Sequence, residues 1–280
     1  MSSIEIYQRA QDVLSGHSGY GNSYWSVAAN CGRQRRLADS IKIIKDGPEP
    51  DWAVRGVYYH TLLQWWHDQK IPKNSVIELN DNTLWNDAVT LFDWYRTTYA
   101  RDFWGECIGT EVQFPSTPEE KAEVAKWFGI PTEYAPTMRT DLLVRADEPH
   151  VENAANHGVL LPGPGVYIVD YKHGAAHWAD DEKKYTQGVQ ALLYLTLGNL
   201  FWAEKPKGMI FVKASMTREK KELKLKDSTY RIYTAHFSTK NNDRVKQMIT
   251  YAYTSMQADM VNPYACMDCP FFNKNCNGVK

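Results

Sequence analysis

The sequence predicts an α/β fold with one mixed central β-sheet flanked by helices, and three observations indicate this class. The first is an apolar segment at 166–172 without polar alternation, which is typical of a strand buried on both faces. The second is the order of the elements, because two strand candidates precede this segment and a helix and two further strands follow it. The third is a helix-rich stretch before residue 105, which we expect to pack against the sheet.

The elements ahead of the central strand are predicted from hydrophobic periodicity and from one capping motif. They comprise helices at 54–69 and 83–101 and strands at 108–114 and 137–145. Thr117 and Glu120 have capping-box spacing, with Pro118 at the first helical position. A short charged helix should therefore begin there and end near Gly129.

The elements from the polar loop at 162–165 onward complete the predicted sheet. They comprise a strand at 166–172, a helix at 183–204, strands at 208–215 and 229–237, and a helix at 241–260. No linker separates independent domains, so we expect a single domain over 1–280. It would have a mostly helical part at 1–104, a catalytic core at 105–240, and a helix with a cysteine-containing tail at 241–280.

Composition limits the class of protein without identifying it. The 280 residues include 10 Trp and 17 Tyr, so a substantial core can be buried. The net charge of −1 indicates no partner by itself, although Arg33, Arg35 and Arg36 form a local basic cluster that could hold phosphates. The chain has no apolar run of membrane-spanning length and no secretory pattern at its start, so we expect a cytoplasmic protein with no membrane partner.

Acidic side chains on consecutive predicted strands indicate a cation site. Asp170 and Lys172 stand two residues apart on one strand and therefore point to the same face. Asp141 lies on the preceding strand, and Glu111 lies on the strand before that. Because neighbouring strands are about 4.8 Å apart, these carboxylates could share one cation, and oxygen ligands favour Mg²⁺ or Mn²⁺. A lysine beside such an ion suits metal-assisted hydrolysis of a phosphodiester.

Two helices carry further candidate residues. Gln190 and Tyr194 are four residues apart on the helix after Lys172, so they share one helix face and could look toward the site together. His60 lies in the middle of the first helix among apolar residues. It is either a buried core histidine or a neighbour of the metal, whereas His67 is interpreted as structural.

The cysteines predict a second metal centre. Cys266, Cys269 and Cys276 have C-x2-C-x6-C spacing, and a fourth thiolate must come from Cys31 or Cys107. Four thiolates suit either structural zinc or a 4Fe–4S cluster. Pro270 and the aromatic pair after it favour iron–sulfur, and the remaining alternative is a set of unrelated buried thiols.

Taken together, these residues resemble a known family. Gly56-x3-His60, Glu111, Asp141, Asp170-Tyr171-Lys172 and Gln190-x3-Tyr194 resemble the RecB-type branch of the PD-(D/E)XK nuclease superfamily. Cys31 with Cys266, Cys269 and Cys276 resembles its iron–sulfur members, which include the CRISPR-associated exonucleases and the AddB nuclease subunit.

The resemblance implies a restriction-endonuclease-like core and assigns roles to the residues. His60, Glu111, Asp141 and Asp170 would surround Mg²⁺ or Mn²⁺, with Lys172 as the catalytic lysine. Gln190 and Tyr194 would contact DNA or support the site, and the four cysteines would hold the 4Fe–4S cluster. No G-x4-G-K-[S/T] loop is present, so the chain is expected to act as a stand-alone nuclease rather than a motor.

The function expected from this resemblance is a metal-dependent DNA exonuclease stapled by a 4Fe–4S cluster. Its substrate would be DNA that is single-stranded or has free ends, and its setting would be DNA recombination, repair, or phage or CRISPR DNA processing, with recombination or CRISPR proteins as partners. Two alternatives remain: a catalytically silent DNA-binding or scaffold module of the same fold, and a zinc-stapled nuclease.

Overall fold

The computed structural model describes residues 51–98, 106–146, 163–174, 184–219, 222–236 and 238–258. The helices are α1 (Asp51–His67), α2 (Thr83–Thr98), α3 (Pro118–Phe128), α4 (Val189–Phe201) and α5 (Thr239–Gln257). The strands are β1 (Glu106–Phe114), β2 (Met138–Ala146), β3 (Gly165–Gly174), β4 (Gly208–Glu219) and β5 (Glu222–His236). A short 3₁₀ turn covers Thr132–Tyr134.

The five strands form one mixed sheet in the order β1-β2-β3-β4-β5. Strands β1, β2 and β3 pair antiparallel, β3 and β4 pair parallel, and β4 and β5 pair antiparallel. A parallel pair needs a crossover connection, and α4 lies in the segment that joins β3 to β4. The predicted mixed sheet with flanking helices is therefore confirmed.

Helices cover both faces of the sheet, and β3 shows why. Its residues Tyr167, Val169 and Tyr171 belong to one buried cluster with α1 and α2, whereas Val166 and Ile168 belong to a second cluster with α3, α4 and α5. Successive side chains of a strand point to opposite faces. The uninterrupted apolar run of β3 therefore reflects two apolar layers, as the sequence predicts.

The capping box at α3 is confirmed in detail. The Thr117 hydroxyl accepts the backbone N–H of Glu120, and the Glu120 carboxylate accepts the backbone N–H of Thr117 at 3.1 Å. Gly129 ends the helix with a left-handed backbone (φ 71°), which glycine adopts without a steric penalty.

The predicted helix at 183–204 begins later than expected. Residues 184–187 form a separate helical turn, and Gly188 has an extended backbone before α4 starts at Val189. A Cβ atom at Gly188 would lie 2.0 Å from the carbonyl oxygen of Lys184, so only glycine fits this close approach. The apolar periodicity alone does not reveal this break.

Strands β4 and β5 are longer than the predicted 208–215 and 229–237, because their pairing continues to Glu219 opposite Glu222. The four predicted cluster cysteines and the basic cluster Arg33, Arg35 and Arg36 lie outside the described residues. Among the helices of the described ranges, none combines the length and apolar character needed to cross a membrane.

Candidate metal centre

The candidate site lies where β2 and β3 stop pairing. Their register runs from Ala146 opposite Gly165 to Leu142 opposite Val169. Just beyond this last pair, the backbone N–H of Tyr171 donates to Oδ2 of Asp141 at 2.7 Å. The Asp141 side chain thus takes the place of a ladder acceptor and satisfies a backbone donor of the central strand.

Glu111 reaches the same place from β1 through an unusual backbone. It lies between the pairs Thr110–Leu142 and Val112–Thr140, and therefore stands opposite Asp141. Its φ of 49° is left-handed, which is uncommon for a residue with a side chain. Such a conformation costs on the order of 1–3 kcal/mol and is concentrated at functional sites. Here it accompanies the convergence of two carboxylates.

His60 on α1 completes a group with these two acids. Its Nδ1 lies 3.1 Å from Oδ1 of Asp141. The ligand atoms of His60, Glu111 and Asp141 all lie within 4.8 Å of one another, and all three residues are half-buried. Two carboxylates and an imidazole at this separation can hold a divalent cation.

The fourth predicted ligand, Asp170, has other partners in the structure. Its carboxylate accepts hydrogen bonds from Nζ of Lys172 and from Nε2 of Gln190, the latter at 3.0 and 3.1 Å. Asp170 is only 3% exposed. It is outside the His60–Glu111–Asp141 group, so its role as a metal ligand stays a prediction.

Helix α4 places two polar side chains near this end of the site. Gln190 contacts Asp170 directly, and Tyr194 one turn later accepts the backbone N–H of Arg139 at 3.3 Å. Tyr194 is buried, with 6% exposure. Both residues thus hold strands β2 and β3 in place, and contact of either with DNA stays a prediction.

The pKa shifts reflect a crowded cluster of acids. Burial acts to lower the pKa of His60, but the carboxylates of Asp141 and Asp170 overcome this effect and raise it. Burial acts to raise the pKa of Asp141, but His60, Lys172 and the Tyr171 N–H together lower it. Burial raises the pKa of Glu111 and Asp170, and the charge of Asp141 adds to both shifts. A cation would relieve this repulsion, which is the behaviour expected of a metal site.

A cavity of about 440 Å³ opens over these residues. One wall carries charged groups: Glu111, Arg139, Asp141 and Lys172. A face of α1 also lines the cavity, with Trp52, Ala53, Gly56, Val57, His60, Thr61 and Gln64. The cavity therefore joins the candidate metal ligands to the predicted catalytic lysine.

Arg139, His173 and Trp52 line this cavity and were not predicted as site residues from the sequence. Arg139 forms an ion pair with Glu111, and alternation from Asp141 along β2 could have indicated it. His173 packs on Gly56, where a Cβ atom would lie 2.9 Å from its Nε2. Burial, with the positive charges of His60, Arg55 and Lys172, lowers the pKa of His173 to about 3, so its ring is neutral at pH 7. Trp52 is one helical turn before Gly56 and two before His60, a spacing visible in the sequence.

Comparison with known proteins leaves the family open. No family model matches the chain, and no curated protein matches it. Among solved structures, the chain is similar to a provisionally assigned exonuclease from Eubacterium rectale, with a TM-score of 0.47 and 11% identity. That match covers 93% of this chain and 90% of the other. A likeness this remote identifies neither family nor activity, so the functional assignment depends on the site residues.

Proposed function

We propose that the protein is a metal-dependent deoxyribonuclease that acts as an exonuclease on DNA. The observation that carries this proposal is the juxtaposition of two groups in one cavity. The His60–Glu111–Asp141 group suits a divalent cation, and Lys172 places a positive charge beside it. A phosphodiester is an anion whose hydrolysis requires positive charge and an activated water.

The donor set fits magnesium or manganese. Carboxylate oxygens are the preferred ligands of both ions, and an imidazole nitrogen makes manganese well suited. His60, Glu111 and Asp141 would hold the ion, with Asp170 as a further candidate ligand. When bound, such an ion supplies Lewis acidity and lowers the pKa of a water molecule toward neutrality.

The protein's own groups fix the ligands before any ion arrives. The Tyr171 N–H bonds one oxygen of Asp141, which leaves Oδ1 turned toward His60. Arg139 holds the Glu111 carboxylate by an ion pair. Preorganised ligands spare the site the cost of ordering them when the ion binds.

Lys172 is the group best placed to act on the scissile phosphate. Its ammonium donates to the Asp170 carboxylate, and the side-chain amide of Gln190 donates to the same carboxylate. The Lys172 side chain is 29% exposed, so it lines the cavity while Asp170 lies buried behind it. Its charge would stabilise the negative charge that develops on the phosphate oxygens in the transition state.

The wider proposal includes a structural metal centre, which links distant parts of the chain, and a cellular role. We propose that Cys31, Cys266, Cys269 and Cys276 hold a 4Fe–4S cluster, with zinc as the alternative. This part is supported by their spacing in the sequence alone. The cellular role that fits such an enzyme is DNA recombination, repair, or phage or CRISPR DNA processing.

Digestion of end-labelled DNA tests the proposal. Linear single-stranded and double-stranded DNA, with a circular control, would be incubated with Mg²⁺, Mn²⁺ or EDTA. We expect degradation of a linear substrate with metal, none with EDTA, and resistance of the circle. Lys172→Ala should remove the activity, whereas Lys121→Ala, at an exposed position on α3, should retain it. Absence of cleavage by the wild type with either ion would refute the nuclease assignment.

A further inference from the structure

We infer that the α1 wall of the cavity binds an unpaired nucleobase, with Trp52 as its stacking surface. This inference rests on the proposed nuclease function and adds a substrate class to it. It assigns a ligand to the part of the cavity that the metal and lysine do not use. The occupant would be a nucleotide of single-stranded DNA, or of a frayed end, close to the bond that is cleaved.

The geometry of α1 connects the two ends of the cavity. Trp52, Gly56 and His60 are spaced four residues apart, so they lie along one face of the helix. At about 1.5 Å per residue, Trp52 and His60 are separated by about 12 Å along the helix axis. A base stacked on Trp52 would therefore belong to one of the first few nucleotides from a phosphate held at His60.

The two walls of the cavity match the two halves of a nucleotide. Trp52, Ala53 and Val57 give the first turns of α1 an apolar surface. The same cavity is lined by charged groups of the candidate metal centre, including Asp141 and Lys172. A nucleotide likewise joins a flat base, which stacks on aromatic rings, to an anionic phosphate.

Trp52 differs from the other large aromatics of α1. Tyr58, Tyr59 and Trp65 are buried in the core, at 2%, 0% and 7% exposure, whereas Trp52 is 66% exposed. Single exposed apolar residues are ordinary on protein surfaces. What distinguishes Trp52 is its place in the wall of the cavity that holds the candidate metal ligands.

Gly56 matters because it separates the aromatic ring from the metal ligand. Because Gly56 has no side chain, a gap separates the side chains of Trp52 and His60 along this face of α1. His173 packs against that point, and a Cβ atom there would be 2.9 Å from its Nε2. The surface between the two ends is thus formed by Gly56 and the His173 imidazole that packs on it, and a sugar could lie against this surface.

Stacking on a tryptophan favours an unpaired base. Inside a duplex, both faces of a base are covered by its neighbours, so stacking on protein requires the base to leave the helix. A cavity of about 440 Å³ is also within the size range of small-ligand sites. Both points favour a single strand over an intact duplex.

A binding experiment separates base stacking from phosphate attraction. Fluorescence anisotropy would give the Kd of a labelled oligothymidylate and of an abasic oligomer with the same number of phosphates. Both would be measured in EDTA and again with Ca²⁺. We expect the wild type to prefer the oligothymidylate by roughly 5- to 150-fold, the range expected for one stacked base. Trp52→Ala should lose this preference, and Trp52→Phe should retain most of it.

Tyr251→Ala is the matched control, because Tyr251 is a 53% exposed aromatic on α5 that does not line the cavity. It should keep the wild-type preference. The inference is overturned if Trp52→Ala keeps the preference, if Tyr251→Ala loses it equally, or if Trp52→Ala weakens binding of a blunt duplex as much as that of a single strand. Failure of the nuclease proposal is distinct, since it would appear as no cleavage by the wild type while the binding preference can still be measured.

Discussion

Tyr171 bonds Asp141 through its backbone N–H, at 2.7 Å, while its phenol belongs to a second polar group. There its hydroxyl lies 3.0 Å from Nε2 of His67 and 2.8 Å from the hydroxyl of Tyr95. One residue of β3 thus connects the candidate metal ligand to a buried His67–Tyr95–Tyr171 network. This network anchors α1 and α2 to the strand that carries Asp170 and Lys172.

The first prediction concerns the Tyr171 hydroxyl. Tyr171→Phe should lower the free energy of unfolding by about 1–3 kcal/mol, because the change leaves buried partners with one hydrogen bond fewer. His67 and Tyr95 remain within 3.3 Å of each other, which limits the loss. Mn²⁺ affinity should change little, since Asp141 is held by the backbone. Guanidinium unfolding and calorimetry would measure the two effects, and a large loss of metal affinity would contradict this division of roles.

The second prediction is a pH dependence of stability from His67. Burial lowers the pKa of His67 from 6.5 to about 4 in the folded protein. Between these values the unfolded chain binds more protons, so stability falls as the pH drops from 6.5 toward 4. The full difference corresponds to about 3 kcal/mol at most. His173 acts in the same direction, with a pKa lowered to about 3.

Comparison with His67→Gln isolates this contribution. The variant should be less stable than the wild type at pH 7, because it loses the fit of the ring to Tyr95 and Tyr171. The difference in free energy of unfolding between the two proteins should become smaller as the pH falls to 5, because glutamine does not titrate. Unfolding curves at both pH values would show this, and a constant difference between the two proteins would mean that His67 is not held neutral.

The third prediction assigns chemistry to Lys172 and Asp170. Lys172→Ala and Asp170→Ala should each reduce hydrolysis by about 10²–10³ or more, because each removes a preorganised charge from the site. Neither should prevent folding. Asp170→Ala removes one of several repelling carboxylates, although it leaves Gln190 and Lys172 without their acceptor. Circular dichroism would check the fold, and near wild-type cleavage by either variant would move the active site elsewhere.

The fourth prediction separates metal ligands from their supports. Alanine at His60, Glu111 or Asp141 should weaken Mn²⁺ binding by more than the roughly 10- to 100-fold that loss of an outer partner costs. Titration calorimetry on Asp170→Ala then decides its role. A comparable loss would make Asp170 a ligand, whereas near-normal affinity would assign it to holding Lys172. Unchanged affinity in all four variants would remove the metal from this site.

The sequence predicts the sheet well because its signals are local. The apolar run of β3 and the capping box at Thr117 depend on a few neighbouring residues, and both are present as expected. The acids on β1 and β2 lie together with His60, whereas Asp170 on β3 bonds Lys172 and Gln190 instead. What the sequence misses depends on backbone conformation. The break at Gly188 involves a close approach to the carbonyl of Lys184, and the ion pair of Arg139 with Glu111 accompanies the left-handed backbone of Glu111.

The last prediction concerns the cysteines and separates a structural staple from the catalytic site. Cys31 is far along the chain from Cys266, Cys269 and Cys276, so a cluster that joins them closes a very long loop. In the disulfide model such a closure stabilises by on the order of 4–5 kcal/mol. Serine at any of the four should therefore remove the cluster, lower the Tm and promote aggregation.

Cys107→Ser is the matched control, because Cys107 is exposed on β1. Iron and sulfide assays after anaerobic purification should give about four irons per chain in the wild type and in the control. One zinc per chain would support a structural metal centre and exclude the iron–sulfur cluster. A chain free of both metals would refute the structural metal centre.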